Sequence, residues 1–173
     1  IRKKFDNLFI SSPDNCAWLL NIRGFDQPYS PIPNCRIILN KSKKIYFFSD
    51  LNKSIKIRNK IKYKKIEFFS LSEFFKVILK LKGKYFCIDE NSCSIYHKSL
   101  ISSKFKIIGR KDPCEYLKSI KNKIELKNTV KSHILDGVAL TKFLFWIKKN
   151  NSNKLTELQA SIKLEKFRKL NSS

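Results

Sequence analysis

Residues 35–48 read Cys35-Arg36-Ile37-Ile38-Leu39-Asn40-Lys41-Ser42-Lys43-Lys44-Ile45-Tyr46-Phe47-Phe48. Two runs rich in β-branched, aliphatic and aromatic side chains, Cys35 to Leu39 and Lys44 to Phe48, flank the polar connection Asn40-Lys41-Ser42-Lys43. Short polar connections join antiparallel strands, so this stretch predicts a β-hairpin. Upstream, Leu8 to Ser11 reads as a short strand ending at Ser12-Pro13-Asp14, and Asp14 to Asn21 as a short helix carrying Trp18, Leu19 and Leu20. Between that helix and the hairpin lies Arg23-Gly24-Phe25-Asp26-Gln27-Pro28-Tyr29-Ser30-Pro31-Ile32-Pro33, whose three prolines forbid regular helix or central strand. A loop of that length inside a compact domain is often functional.

Downstream, Leu51 to Ile61 fits a short basic helix and Lys65 to Phe69 a strand. Ser72 to Leu81 fits a helix with Ser72 as its N-cap, and Tyr85 to Ile88 a strand. Ser92 to Ser102 reads as a helix and Phe105 to Ile108 as another strand. Strands alternating with helices define an α/β domain with a mixed sheet covered by helices.

After Gly109 the pattern changes to all-helical. Asp112-Pro113 opens a short helix, with Asp at the cap and Pro in the first turn. Asn122 and Glu125 form a capping pair for a long helix reaching about Asn150. Leu126, Val130, His133, Gly137, Leu140, Leu144 and Ile147 share one face, widened by Ile134, Val138 and Phe145. Gly137 inside that helix costs about 1 kcal/mol against Ala, which close packing on a neighbour explains. His133 on the same stripe reads as a hydrogen-bonded core residue. Asn150-Asn151-Ser152-Asn153 breaks the helix, and Thr156 with Gln159 caps a last one running to about Leu170. Two helices cannot bury all of these apolar faces, so the last third is expected to be the opening of a larger domain.

The chain has 173 residues with a formal charge of +23, made by 31 lysines and six arginines against 14 acidic residues. An apolar share of 42% with 14 Phe is enough for a core and excludes disorder for most of the chain. No run of about 18 apolar residues is present, which excludes a membrane-spanning helix. The start lacks a secretory signal pattern. There is no Met, and the first residue is Ile, which leads to the expectation of a piece of a longer protein. The positive charge points to an anionic partner such as nucleic acid. Yet the cations are scattered and mostly Lys, whereas base and phosphate recognition favours the planar fork of Arg. A solvated basic surface accounts for them as well.

Cys16, Cys35, Cys87, Cys93 and Cys114 are odd in number, and no two are separated by two residues, so neither a zinc ribbon nor a disulfide framework is signalled. Cys16 and Cys87 read as small core residues in a reducing cytoplasm. His97 and His133 are the only histidines, and neither has a partner at metal-ligand spacing. Asp89-Glu90 reads as a solvated acidic turn. Four glycines supply no phosphate-binding loop. No catalytic constellation emerges from the residues themselves.

Three segments carry a resemblance: Ala17-Trp18-Leu19-Leu20-Asn21-Ile22-Arg23-Gly24 with its proline-rich loop; Asp112-Pro113-Cys114 through Lys121-Asn122-Lys123-Ile124-Glu125-Leu126; and His133-Ile134-Leu135-Asp136-Gly137-Val138-Ala139-Leu140 continuing to Phe143-Leu144. Thr156-Glu157-Leu158 and Lys163-Leu164-Glu165-Lys166-Phe167-Arg168 follow at the expected distance. From about Leu8 to Arg168 the chain resembles the long, three-domain form of Xaa-Pro aminopeptidase (aminopeptidase P), in the creatinase and prolidase group. The resemblance implies that residues 1–109 are the middle, non-catalytic creatinase-N-type α/β domain. It implies that residues 110–173 are the linker and first helices of a truncated "pita-bread" catalytic domain.

The implied activity of the parent is hydrolysis of the N-terminal residue preceding proline in peptides, with two divalent ions, usually manganese. In the family these are held by two Asp, one His and two Glu, beyond the point where this chain stops. No catalytic or metal residue is therefore expected here, and the fragment alone is expected to be inactive. Arg23 and Gly24 are the candidates for facing the substrate channel. There Arg23 can pair with a peptide carboxylate or carbonyl, or instead tie its own loop to the next domain. Trp18 reads as core. Implied partners are a peptide with proline in second position, the rest of the catalytic domain in cis and a second parent subunit in a homodimer, with no membrane and no nucleic acid. Alternatives are a creatinase-like protein-interaction module and a basic nucleic-acid-binding domain.

Overall fold

The computed structural model describes residues 4–58, 61, 63–150 and 155–171. Contacts divide the chain into two compact units, Ile1–Ser119 and Ile120–Ser173.

The first unit is built on a six-stranded sheet: β1 Asn7–Ile10, β2 Arg36–Asn40, β3 Ile45–Phe48, β4 Ile66–Phe69, β5 Tyr85–Ile88 and β6 Lys106–Gly109, in the order β4-β3-β2-β1-β5-β6. The hairpin forms as expected, β2 antiparallel to β3 with Ile37 opposite Phe47. β2 also runs antiparallel to β1, while β1, β5 and β6 are parallel, as are β3 and β4. Five strands thus point one way and β2 alone points back.

Both faces of the sheet are covered, which is why its strands are largely apolar, with Glu67 inside the edge strand β4 as an exception. Successive side chains alternate between the faces. Leu8, Ile10, Ile37, Phe47 and Cys87 lie in one cluster, and Phe9, Ile38, Phe48, Phe86 and Ile88 in the other. Helix α1 (Pro13–Leu20) brings Cys16 and Ala17 to the first face, and α2 (Leu51–Arg58) adds Ile57. Trp18 is half-buried against that cluster. The second face is covered by α3 (Phe74–Lys80), with Phe74, Val77 and Ile78, and by α4 (Ile95–Ser102), with Ile101. A buried aromatic or aliphatic side chain of this size contributes about 1.5–3 kcal/mol.

Two helix starts differ from expectation. Ser70, not Ser72, is the cap before α3: its Oγ accepts from the Ser72 N–H at 3.1 Å, and Glu73 Oε2 accepts from the Ser70 N–H at 2.8 Å. One 3₁₀ turn, Leu71–Glu73, therefore precedes α3. Helix α4 starts after Ser94 rather than at Ser92, because residues 89–93 close a turn in which the Cys93 N–H donates to the Asp89 carbonyl at 2.9 Å. The predicted basic helix is seen over Leu51–Arg58, and Asn59 and Lys60 lie outside the described residues.

After β6, α5 (Pro113–Ser119) closes the first unit. The second unit is α6 (Lys123–Lys149) and α7 (Glu157–Asn171). Asn122 Oδ1 accepts from the N–H groups of Ile124 and Glu125 at 2.9 Å, and Glu125 returns the bond to the Asn122 N–H at 2.8 Å. Thr156 and Gln159 cap α7 in the same reciprocal way. Arg168 grips Asp136 through Nε at 2.6 Å and Nη2 at 3.3 Å, tying α7 to α6. The helix-breaking Asn151-Ser152-Asn153 lies outside the described residues.

Two expectations for α6 are corrected. His133 stands exposed rather than buried. Gly137 marks no close approach, since a Cβ built there meets nothing within 4 Å. Leu126, Val130, Ile134, Leu144 and Phe145 are exposed as well, so most of the stripe is open. Among the described residues no helix is long and apolar enough to cross a membrane.

At the amino edge of the sheet, Asp6 joins β1, β5 and the hairpin. Its Oδ2 accepts from the N–H groups of Lys84 and Tyr85 at 2.8 and 2.9 Å, and Oδ1 pairs with Lys41 at 2.5 Å. Gly83, at φ 117°, passes so close that a Cβ would lie 2.4 Å from the Asp6 Cβ. The Lys41 bond, then the backbone N–H groups, hold the Asp6 carboxyl at about 2 against an ordinary 3.8. A lowered folded-state value means that its stabilisation is complete above the unfolded value and drains away as pH falls towards about 2. Asp6→Asn is expected to cost about 1–2 kcal/mol at pH 7. Urea denaturation from pH 7 down to pH 2 should show the difference from the parent chain shrinking below about pH 4.

Candidate functional site at the carboxyl edge of the sheet

The five parallel strands deliver their C-terminal ends to one edge, where β2 begins. Open α/β sheets bind ligands at that edge, because the connections diverge there and leave a crevice. Here the edge is dense with polar side chains, many of them occupied by one another.

Asp89, directly after β5, is only 4% exposed. Its Oδ1 accepts from the Asn91 N–H at 3.0 Å and its Oδ2 from the Asp112 N–H at 2.8 Å. Asp112 is 3% exposed. Its Oδ1 accepts from the Cys114 N–H at 2.9 Å, and its Oδ2 from Asn15 Nδ2 at 2.8 Å. Lys118 Nζ donates to Asn15 Oδ1 at 2.5 Å and also to Asp14. β5, α1 and α5 are thereby laced together. The reading of Asp89-Glu90 as a solvated turn is corrected for Asp89. Only Glu90 is exposed, paired with Lys98 at 2.6 Å. Burial pushes the Asp14 carboxyl up, but the Lys118 ammonium and the Ser12 hydroxyl outweigh it and leave the value lowered.

A groove of about 740 Å³ opens beside this network, lined by Asp26, Asn34, Arg36, Ser49, Asp50, Lys53 and Ser70 among others. Asp26 Oδ2 accepts from the Asn34 N–H at 2.7 Å, and Lys53 pairs with Oδ1. The Lys53 bond, then the Asn34 N–H, hold the Asp26 carboxyl below its usual range. Arg36 Nη1 is turned to the Cys35 carbonyl at 2.7 Å and to Asn34 Oδ1 at 3.1 Å.

Arg23 and Gly24 sit at the root of the proline-rich loop and do not line this groove. Arg23 is exposed, and its Nη1 donates to the Ile22 carbonyl at 2.8 Å. The Gly24 N–H donates to the Pro31 carbonyl at 3.1 Å, and a Cβ on Gly24 would lie 2.7 Å from the Pro33 Cβ, so a glycine closes the loop. The tip presents Phe25 and Tyr29, 93% and 96% exposed.

His97 and the five cysteines are wholly or partly buried. His97 Nδ1 is 2.8 Å from Ser94 Oγ, and its ring lies 4.6 Å from Phe74 and 5.3 Å from Phe9. Burial, then the nearby Arg36 charge, pushes its value down, so the imidazole is neutral at pH 7. Cys16, Cys35, Cys87 and Cys114 are buried in the first-face cluster, as expected for Cys16 and Cys87. Burial, followed by the Asp112 charge, raises the Cys114 thiol to about 12. Burial alone leads the rise of Cys93 to about 11. A thiol so raised carries no thiolate at neutral pH. Among the described residues no group of three or more His, Cys, Asp or Glu is placed to hold a metal ion.

Asn15, Asp89 and Lys118, and the groove residues Asp26, Asn34, Arg36 and Lys53, were not legible as a set. Asn15 and Asp112 are 97 residues apart, and no local pattern signals such a pairing.

An open mixed sheet with helices on both faces and a polar carboxyl edge defines the class, an α/β domain. The profile of the creatinase/prolidase N-terminal domain matches residues 1–125. The chain belongs to that family. The Xaa-Pro aminopeptidase ApepP of Drosophila melanogaster is 28% identical over 96% of this chain, which covers 28% of that protein. A probable Xaa-Pro aminopeptidase P of Coccidioides posadasii is 29% identical over 96% of the chain, covering 29% of its length. The chain thus spans less than a third of these curated relatives. In fold it is similar to an X-prolyl aminopeptidase of Caenorhabditis elegans, described as a cytosolic enzyme with a di-nuclear active site. There the TM-score is 0.75 at 24% identity, with 98% of this chain and 29% of that one covered. It is also similar to a Bacillus anthracis Xaa-Pro dipeptidase, with TM-score 0.69, 16% identity, and 95% of this chain and 44% of that one covered.

Asp112→Ala strips the acceptor from Asn15 and the Cys114 N–H and is expected to destabilise the chain by about 3 kcal/mol. Asp112→Asn, which keeps a carbonyl for one of the two donors, should lose clearly less. Urea midpoints for both variants check the order.

Proposed function

We propose that the chain is part of a metal-dependent Xaa-Pro aminopeptidase, which removes the N-terminal residue preceding proline. Residues 1–109 are its middle creatinase-N-type domain, and residues 110–173 the linker and first helices of its pita-bread catalytic domain. The observation that carries this reading is similarity running through 96% of the chain to Xaa-Pro aminopeptidases of which it covers less than a third. The open apolar stripe of α6 supports it, since such a face suits a helix that packs against further structure.

The parent uses two divalent ions, manganese by preference, on a peptide with proline in second position. The residues here do not fit that centre. Asp89 and Asp112 are committed to N–H donors, and His97 to Ser94 and aromatic rings. No step of the hydrolysis is assigned to them. The chain's contribution is support and one boundary of the substrate channel, with Arg23 and Gly24 facing it. The rest of the catalytic domain in cis and a second subunit are the remaining partners. The buried free thiols and the cytosolic neighbour support a cytoplasmic setting.

The bond from Arg23 Nη1 to the Ile22 carbonyl favours a second reading for that residue, as a tie within its own loop. The whole parent protein, stripped with chelator, is expected to cleave an Xaa-Pro peptide only after manganese is restored. Turnover by the 173-residue chain alone would overturn the assignment. In the whole protein Arg23→Ala should raise KM about tenfold at unchanged Tm, with partial recovery in Arg23→Lys. A lowered Tm at unchanged KM selects the loop tie instead.

A further inference from the structure

Strand β4 is an open edge of the sheet with an unbalanced positive charge beside it. The Ile45 N–H donates to the Lys65 carbonyl at 2.8 Å, and the Ser49 N–H to the Phe69 carbonyl at 3.1 Å. The backbone groups of Lys65, Glu67 and Phe69 therefore face β3. The alternation turns the N–H and C=O of Ile66 and Phe68 outward, where no strand among the described residues meets them.

An open hollow of about 550 Å³ adjoins that edge, with Arg58, Tyr63, Lys64, Glu67 and Phe68 in its lining. The Tyr63 hydroxyl donates to the Lys43 carbonyl, which places the hairpin turn beside the hollow. Residues 41–65 contain ten Lys or Arg and one acid, Asp50. Glu67 in the hollow is already paired, with Lys44 at 2.6 Å. Among the described residues no carboxylate pairs with Lys43, Arg58 or Lys64, all of which are exposed. Arg58 lies over the Phe68 ring at 5.2 Å, which holds its guanidinium at the rim.

Lysines along an edge strand repel basic chains and discourage self-pairing, but they attract an acidic one. An unused row of alternating N–H and C=O groups is complementary to another extended polypeptide, whereas a DNA backbone offers acceptors for the N–H groups but no donors for the carbonyls. We propose that β4 is a docking edge for an extended acidic segment of a partner protein. The segment's backbone pairs with Ile66 and Phe68, and its carboxylates pair with Lys43, Arg58 and Lys64. This proposal is independent of the aminopeptidase reading.

The test is fluorescence anisotropy at low salt, with the whole chain and a short labelled peptide alternating glutamate and valine. Binding is expected, weakened about tenfold by Arg58→Glu combined with Lys64→Glu. It should be lost when alternate amides of the peptide are N-methylated, which keeps the charge and removes the ladder. Circular dichroism checks that the double variant folds, and Lys43→Gln with Lys64→Gln replaces it if it does not. The proposal is overturned if the peptide does not bind, or if the N-methylated peptide binds equally well. It is also overturned if an oligothymidylate of matched charge competes as strongly as the free peptide, or if the variants bind unchanged.

Discussion

Two carboxylates sealed into the carboxyl edge, Asp89 and Asp112, set a condition that much of the surrounding structure has to satisfy. A buried charge left without donors costs several kcal/mol, so each oxygen must be met by an N–H placed to within a few tenths of an ångström. Asn91, Asp112 and Cys114 supply those groups from the main chain, and Asn15 supplies one from α1. Meeting the condition fixes where α5 starts and how it lies on α1. It also explains the order Asp112-Pro113-Cys114. The carboxylate accepts from the first turn, proline occupies a position where a missing N–H costs nothing, and the cysteine is small enough to be buried.

The same enclosure sets Asp89 and Asp112 apart from solvent: each is almost fully buried and accepts from two N–H donors of the fold. His97 is neutral between aromatic rings, and the thiols of Cys93 and Cys114 are held well above neutrality by burial. What the edge leaves free is shape: a groove beside the proline-rich loop, whose root is closed by Gly24 against Pro33.

The two units differ in how far they satisfy their own apolar surface. In the first, both faces of the sheet carry helices, and the open rims are the edge strands β4 and β6. In the second, α6 and α7 are well capped and joined by Arg168 and Asp136, yet much of the α6 stripe is exposed. Capping and one ion pair define helices locally. They do not substitute for a partner surface, because an exposed pair contributes at most about 1 kcal/mol.

Local chemistry carried much of the prediction. The hairpin followed from two apolar runs around a polar connection, and the starts of α5, α6 and α7 followed from Asp112, Asn122 and Thr156, all short-range effects written in consecutive residues. Where two caps competed, as at Ser70 and Ser72, the choice fell to Glu73, whose carboxylate closes on the Ser70 N–H. Burial was less legible. His133 and Gly137 carry the pattern of a packed face and are not packed, while Asp89 carries the look of a surface turn and is enclosed. A sequence states which side chains are apolar and with what period. Whether a given face is met, and which distant donor reaches a carboxylate, depends on contacts such as that between Asn15 and Asp112, and those exist only once the chain has closed on itself.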